Sequence, residues 1–358
     1  MSSLPHPNVP NWLKEAKAAI KDLGAQNAKI YWADFLLSIG VGYTFAFFFF
    51  QLPGLSITRI ACFIPAAFLI FRASSFAHEI VHLPPGELKA FRVVWDLLCG
   101  VFLLFPSFAY SHHLDHHRCD SYGTDRDGEY LPFGSEPPTT ILYFFMMTLV
   151  WPLLVIVRFL ILTPLSFLYP PLRRWLLTRF SSFGIANFRH TLAITPATPL
   201  RYWAFLDFAC FARTWTPVVL VTMGKMEWTR IALMYLMAVT ILTLNFVRTL
   251  CLHMYINRNE EMSYFGQLRD SITLPNNVMI AEWFIPLGLR YHALHHMFPQ
   301  LPYHALGEAH RRLMATLPAG SDYHGTVRPS IWFVLCQLFK NSWASKQAEV
   351  RNAAPGDA

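Results

Sequence analysis

Charge is scarce in this chain. Only 14% of its 358 residues are Asp, Glu, Lys or Arg, where an ordinary soluble domain carries about 25%. That scarcity excludes a conventional water-soluble enzyme. Cysteine is sparse too: six residues at 62, 99, 119, 210, 251 and 336, with no C-x-x-C pair. A disulfide framework, a thiolate zinc site and a cysteine-held iron–sulfur cluster are all excluded. The chain has no G-x-G-x-x-G and no H-P-G-G element, so it brings neither a dinucleotide site nor a haem of its own. The net charge of +7 comes without a basic repeat or an RNA-binding signature, which argues against nucleic acid as a partner. Residues 1–28 are too polar to supply the apolar core of a signal peptide.

What the chain has is apolar length. Hydrophobic residues make up 54% and aromatic residues 16%, the composition of a membrane protein. The segments 31–52 and about 55–72 each approach the roughly 20 residues that cross a bilayer, and "LPGL" between them is a turn signal. Segments 203–223 and 229–251 form a second such pair, joined through "GKMEW". Basic residues concentrate on the long connections rather than in these two turns, so the long connections and both termini are expected on the cytoplasmic side. The apolar runs 90–110 and 139–169 are interrupted by Trp95-Asp96, Pro106, Pro152 and Pro164. They are expected as interfacial or re-entrant helices, which keeps Arg173, Arg174 and Arg179 cytoplasmic. Residues 1–30 form a polar amphipathic segment. Its stripe Trp12, Leu13, Ala16, Ile20 and Leu23 suits either a helix resting on the membrane surface or one packed on the body. Residues 31–344 read as one membrane-embedded domain, and 345–358 as a disordered tail.

The chemistry lies in the histidines. "HEIVH" places His78 and His82 one helical turn apart, the H-E-x-x-H pattern of zinc peptidases, in which Glu79 would activate a metal-bound water. "HHLDHH" contains His113, His116 and His117 in H-x-x-H-H spacing, with H-x-x-x-H-H from His112 as an alternative register. "HALHH" repeats that spacing with His292, His295 and His296. Residues at i, i+3 and i+4 share a helix face. Of 15 histidines, eight fall in these three motifs, all at the ends of apolar segments. A single zinc needs three or four protein ligands, so eight suit two ions. Imidazole is a ligand for Zn, Cu, Fe and Ni. A peptidase needs one further ligand rather than two more clusters, and no L-D-G or N-P-D-G element is present. A metal transporter would need polar residues inside several spans; here the histidines lie at the ends.

The three clusters, with "HLDHHR", "YGTDRDGEY" and "GLRYHALHHMFPQLPYHAL" around them, resemble the histidine boxes of the membrane fatty acid desaturase and hydroxylase superfamily, in its bacterial form. The resemblance runs from the first hairpin to about residue 315. It implies an all-α integral membrane protein: four transmembrane helices in two hairpins, interfacial helices and a cytoplasmic cap holding a di-iron centre. It adds His253, in "NFVRTLCLHMYIN", as a ninth ligand. Where some desaturases carry an Asn four residues earlier, this chain has Thr249, with Asn245 and Asn257 as nearby substitutes. Glu79 becomes a group that orients a histidine, and Asp115, Asp120 and Asp127 are candidates for the same task. The implied activity is O₂-dependent desaturation of a fatty acyl chain linked to lipid, CoA or carrier, in a bacterial inner membrane. A hydroxylase or carotenoid ketolase on the same scaffold is the alternative. Electrons are expected from a ferredoxin or cytochrome b5-type donor with its reductase.

Overall fold

A computed structural model describes residues 10–180 and 190–353. It is all-helical: among the described residues there is no β-strand, only three isolated bridges. The elements in chain order are α1 (Asn11–Ala19), α2 (Ala28–Gln51), α3 (Ile57–His82), α4 (Lys89–Trp95), α5 (His113–His116), α6 (Pro138–Val157), α7 (Thr163–Leu168) and α8 (Pro170–Arg179). They continue as α9 (Leu200–Thr222), α10 (Trp228–Leu250), α11 (Tyr264–Asp270), α12 (Val278–Phe284), α13 (His292–Met297), α14 (Tyr303–Thr316) and α15 (Ile331–Ala353). The chain divides into two compact units. The first comprises residues 1–27, 114–143 and 247–358, and the second residues 28–113 and 144–246.

The second unit holds most of the long apolar helices. In the α2–α3 hairpin, Ser56 caps α3 by accepting the Arg59 N–H at 3.2 Å. Gly42 lets the two helices close up: a Cβ there would sit 3.1 Å from Ile70 Cγ1, the small-residue contact typical of membrane helix pairs. Arg72 and Asp34 join the hairpin through a two-pronged ion pair, at 2.9 and 2.6 Å. Phe35, Phe76 and Phe91 meet at ring-centroid distances of 5.5–5.8 Å. Such pairs contribute about 0.5–1.5 kcal/mol each beyond their buried area.

Among the described residues, five helical runs are long and apolar enough to cross a membrane, one more than the sequence reading expects. The fifth is Pro138–Leu168, which that reading places in the interface. Its two prolines do not end it. Pro152 stays inside α6, and Pro164 falls in the first turn of α7, directly after a π-helical turn at Arg158–Leu162. The wider π turn re-partners backbone groups that a proline would strand. Arg158 on that turn is fully buried and pairs with Asp207 of α9 at 2.8 Å, and Arg173 of α8 reaches the same carboxylate at 2.5 Å. The 90–110 run is broken into short pieces: α4 passes into a π turn at Asp96–Gly100, then a 3-10 turn at Ser107–Tyr110.

The first unit carries short helices and one long one, α15. The stripe of α1 is settled in favour of packing. Leu13, Ala16 and Ile20 are buried, Trp12 lies 5.7 Å from the Phe265 ring, and Arg312 of α14 bonds to Ala19 O and Asp22. Helix α15 continues through Ser345 to Ala353, across much of the segment expected to be unstructured; residues 354–358 lie outside the described part.

Candidate metal centre

Segment 270–274 assembles the first unit's histidines. On one side Met254 N donates to Asp270 O (2.7 Å) and Ile272 N to Leu252 O (2.9 Å), pinning the strand-like stretch that carries His253. On the other side Ala293 N donates to Ile272 O (3.1 Å) and Leu274 N to Arg290 O (2.7 Å), fixing the start of α13. The result brings together residues 39 apart in sequence: His253 and His292 have Nε2 atoms 2.9 Å apart. His116 stands 3.1 Å from His253, and His296 stands 3.1 Å from His292, again Nε2 to Nε2. One nitrogen from each of these four buried histidines lies within 4.8 Å of every other.

The far side of each ring is held as well. His116 Nδ1 contacts Asp127 Oδ2 at 2.8 Å. That same oxygen accepts Gly123 N–H at 2.9 Å, and Oδ1 accepts the N–H groups of Glu129 (2.8 Å) and Tyr130 (3.2 Å). Gly123 adopts φ +70, and a Cβ would come within 2.2 Å of Asn257 Nδ2, so only glycine serves there. His253 Nδ1 contacts the Tyr122 oxygen at 2.8 Å, while the Tyr122 hydroxyl donates to Asp270 Oδ2 at 2.6 Å. With that proton given to Asp270, Tyr122 accepts Nδ1–H from His253.

These contacts test the fit of a metal. His116 and His253 both commit their Nδ1 protons outward, so each turns an Nε2 lone pair toward the other at 3.1 Å. Two lone pairs at that distance repel unless a cation lies among them. A cation bound by these nitrogens at about 2.0–2.1 Å each would account for their close approach. Acceptors behind the ligand rings are the usual support of a histidine metal site. Burial lowers the His116 pKa, yet the Asp127 carboxylate overrides it and leaves the imidazole above its ordinary value. Burial and then the neighbouring imidazoles push His296 well below its ordinary value, toward the neutral, ligating form. Burial raises Asp270 despite its hydrogen bonds from Tyr122 and the Ile256 N–H.

His117 and His295, also in the first unit, pair Nε2 to Nε2 at 3.1 Å. In the second unit the end of α3 and the start of α5 bring together His78, His82 and His113, with centroids 4.6–5.0 Å apart. Tyr110 stacks on His113 at 4.9 Å and 18°. Glu79 Oε1 stands 3.5 Å from His78 Nδ1, and its Oε2 accepts the Tyr31 hydroxyl at 2.8 Å. His112 is buried but stands outside these groups, edge-on to Tyr110 and His190 at 5.4 and 5.9 Å.

Among the acids named from sequence, Asp127 supports a ring and Asp120 pairs with exposed Arg118 instead. Asn257 does not turn to the histidines: its amide is engaged with Glu260 on both sides. Thr249 accepts the Tyr255 hydroxyl on its carbonyl at 2.6 Å. Tyr122 and Asp270 were not singled out from sequence, because their positions relative to His253 follow no helical or strand spacing.

A fatty acid desaturase family model matches residues 55–327, a span that takes in all nine histidines. The chain belongs to the fatty acid desaturase family. A ceramide hydroxylase of Caulobacter vibrioides (strain NA1000 / CB15N) is 37% identical over 350 residues, covering 95% of this chain and 96% of the relative. No solved structure matches. Family and relative together make this chain an oxidoreductase of the desaturase and hydroxylase type.

Proposed function

We propose that this family member is an O₂-dependent di-iron enzyme that hydroxylates the long apolar chain of a ceramide-like lipid. One observation carries the choice of reaction: the similarity to the ceramide hydroxylase runs nearly end to end in both chains. The first-unit quartet His116, His253, His292 and His296 takes one iron, and His78, His82 and His113 serve the second. The count of nine, eight from the three motifs and His253 from the family resemblance, leaves His117 and His295 as the remaining ligands. Bound iron, reduced from outside, would pass electrons to O₂ and so supply the oxidising power needed at an unactivated C–H bond.

The protein's own part is to hold and shield. Asp127 and the Tyr122–Asp270 pair keep the Nδ1 protons of His116 and His253 pointing outward, so the Nε2 lone pairs stay directed inward. Burial of the quartet excludes water from the ligand side. The chain carries no electron carrier, so a ferredoxin or cytochrome b5-type donor with its reductase is part of the reading. So is a cytoplasmic active site in a bacterial inner membrane.

A second reading keeps the desaturation expected from sequence, and the family's own description favours it. The two part at the final step, where either an oxygen atom or a second hydrogen abstraction completes the reaction. Lipid mass spectrometry of a ceramide-containing host expressing the chain decides. A new ceramide heavier by one oxygen atom supports hydroxylation. A ceramide or acyl lipid lighter by two hydrogens overturns it and installs desaturation.

A further inference from the structure

Over residues 331–347, helix α15 is more apolar outside than inside. Its inward face consists of Val334, Leu338, Ser342 and Ser345. The two serine hydroxyls donate to the carbonyls of Glu136 and Ser135, each at 2.6 Å. The outward face carries Trp332, Cys336, Phe339 and Trp343, spaced i, i+4, i+7 and i+11, one stripe along a helix. Trp332 is 74% exposed and Trp343 55%. Helix α12 shares a core with α15 through Ile285, Val334, Phe284 and Ile331. It too turns outward an apolar surface, of Val278, Met279, Ile280 and Trp283, with Met279 76% exposed.

Leaving such side chains in water forfeits the free energy of burying them, so an apolar covering is called for. Lys340 and Lys346 are exposed beside the stripe, and the Lys346 ammonium lies 5.1 Å over the Trp343 ring. Tryptophan rings edged by lysines are suited to the boundary between lipid headgroups and acyl chains, where the ring is half-immersed and the ammonium meets phosphate. Among the described residues of the same chain, five helices are long and apolar enough to cross a bilayer. Helix α1 shows the opposite pattern in the same unit: its apolar stripe is buried and Lys14, Lys17 and Lys21 face out.

We propose that the outward face of α12 and α15 is an interfacial lipid-binding surface, seated in the headgroup–acyl boundary of an anionic bilayer. The proposal stands apart from the choice of reaction. To test it, nitroxide spin labels are placed at Phe339→Cys, Trp343→Cys and, as a reference, Lys17→Cys, in separate full-length proteins with Cys62, Cys119 and Cys336 replaced by Ser. Each is reconstituted in nanodiscs containing phosphatidylglycerol. Labels at 339 and 343 are expected to relax more strongly with O₂, which partitions into lipid, than with a water-soluble nickel complex. The label at 17 is expected to do the reverse. If 339 and 343 follow the pattern of 17, the surface is not in lipid and the proposal fails. If they are shielded from both reagents and show spin–spin broadening between chains, a second copy covers the face and the proposal fails equally. Combining Lys340→Glu with Lys346→Glu is expected to lower the O₂-to-nickel ratio at 339 in anionic discs but not in phosphatidylcholine discs. No change in either disc would remove anionic recognition.

Discussion

The quartet of the first unit and the triad of the second use the same side chain in different ways. In the quartet, His116 and His253 are braced from behind by hydrogen bonds of 2.8 Å, and the brace at His116 is itself saturated by backbone donors. In the triad, Glu79 Oε1 stands 3.5 Å from His78 Nδ1, and His78 and His82 lie one helical turn apart on α3. Each group holds one pair aligned by a helix face, His78 with His82 and His292 with His296, while His116 and His253 come from separate segments and are braced from outside.

The sharpest way to break this comparison is to remove a ligand from each side. His253→Ala and His82→Ala are both expected to abolish turnover, each with loss of bound iron measured by elemental analysis. Full iron retention in either variant would remove that histidine from the ligand set.

The next largest effect separates the braces. In Asp127→Asn the new amide N–H₂ must face at least one backbone N–H in place of an acceptor. Loss of about 10–100-fold in iron affinity is expected, with destabilisation of about 3–5 kcal/mol for a broken buried pair. Glu79→Gln keeps an acceptor for Tyr31 and sits farther from its histidine, so a loss under about tenfold is expected. Iron-chelator competition on both variants measures the contrast, and equal losses would erase it.

That contrast also marks what the sequence made legible. The histidine spacings are helical and local, so the boxes could be read directly, and so could Asp127, which follows its box closely. The Tyr122–Asp270 support of His253 could not. It arises because the bridge between His253 and Ser271 folds the chain back on itself, and no periodicity encodes that fold. The stripe of α1 told which face is buried but not against what. For 139–169, charge placement argues against a crossing, while the structure keeps the run helical by absorbing Pro164 after a π turn and pairs the partly buried Arg173 with Asp207.

A smaller effect probes the loop beneath His116. Gly123→Ala forces a Cβ into Asn257 at a left-handed φ, and a loss of about 1–3 kcal/mol is expected, seen as a lower Tm with iron still bound. An unchanged Tm would show that the loop yields. The smallest effect belongs to the second unit's hairpin. A double-mutant cycle on Arg72 and Asp34, both partly exposed, is expected to return about 1 kcal/mol or less. A much larger coupling energy would show that the α2–α3 hairpin depends on a specific brace, as the quartet does.

The quartet's ligands are scattered along the chain: His116 and His253 are separated by 137 positions, and His292 and His296 come later still. During synthesis the earlier apolar helices leave the ribosome well before α13 exists. A nascent or prematurely terminated chain ending before residue 292 has only half of this set. Assembly of the quartet is therefore an act of the nearly finished polypeptide, and such truncated products cannot form the complete four-histidine cage.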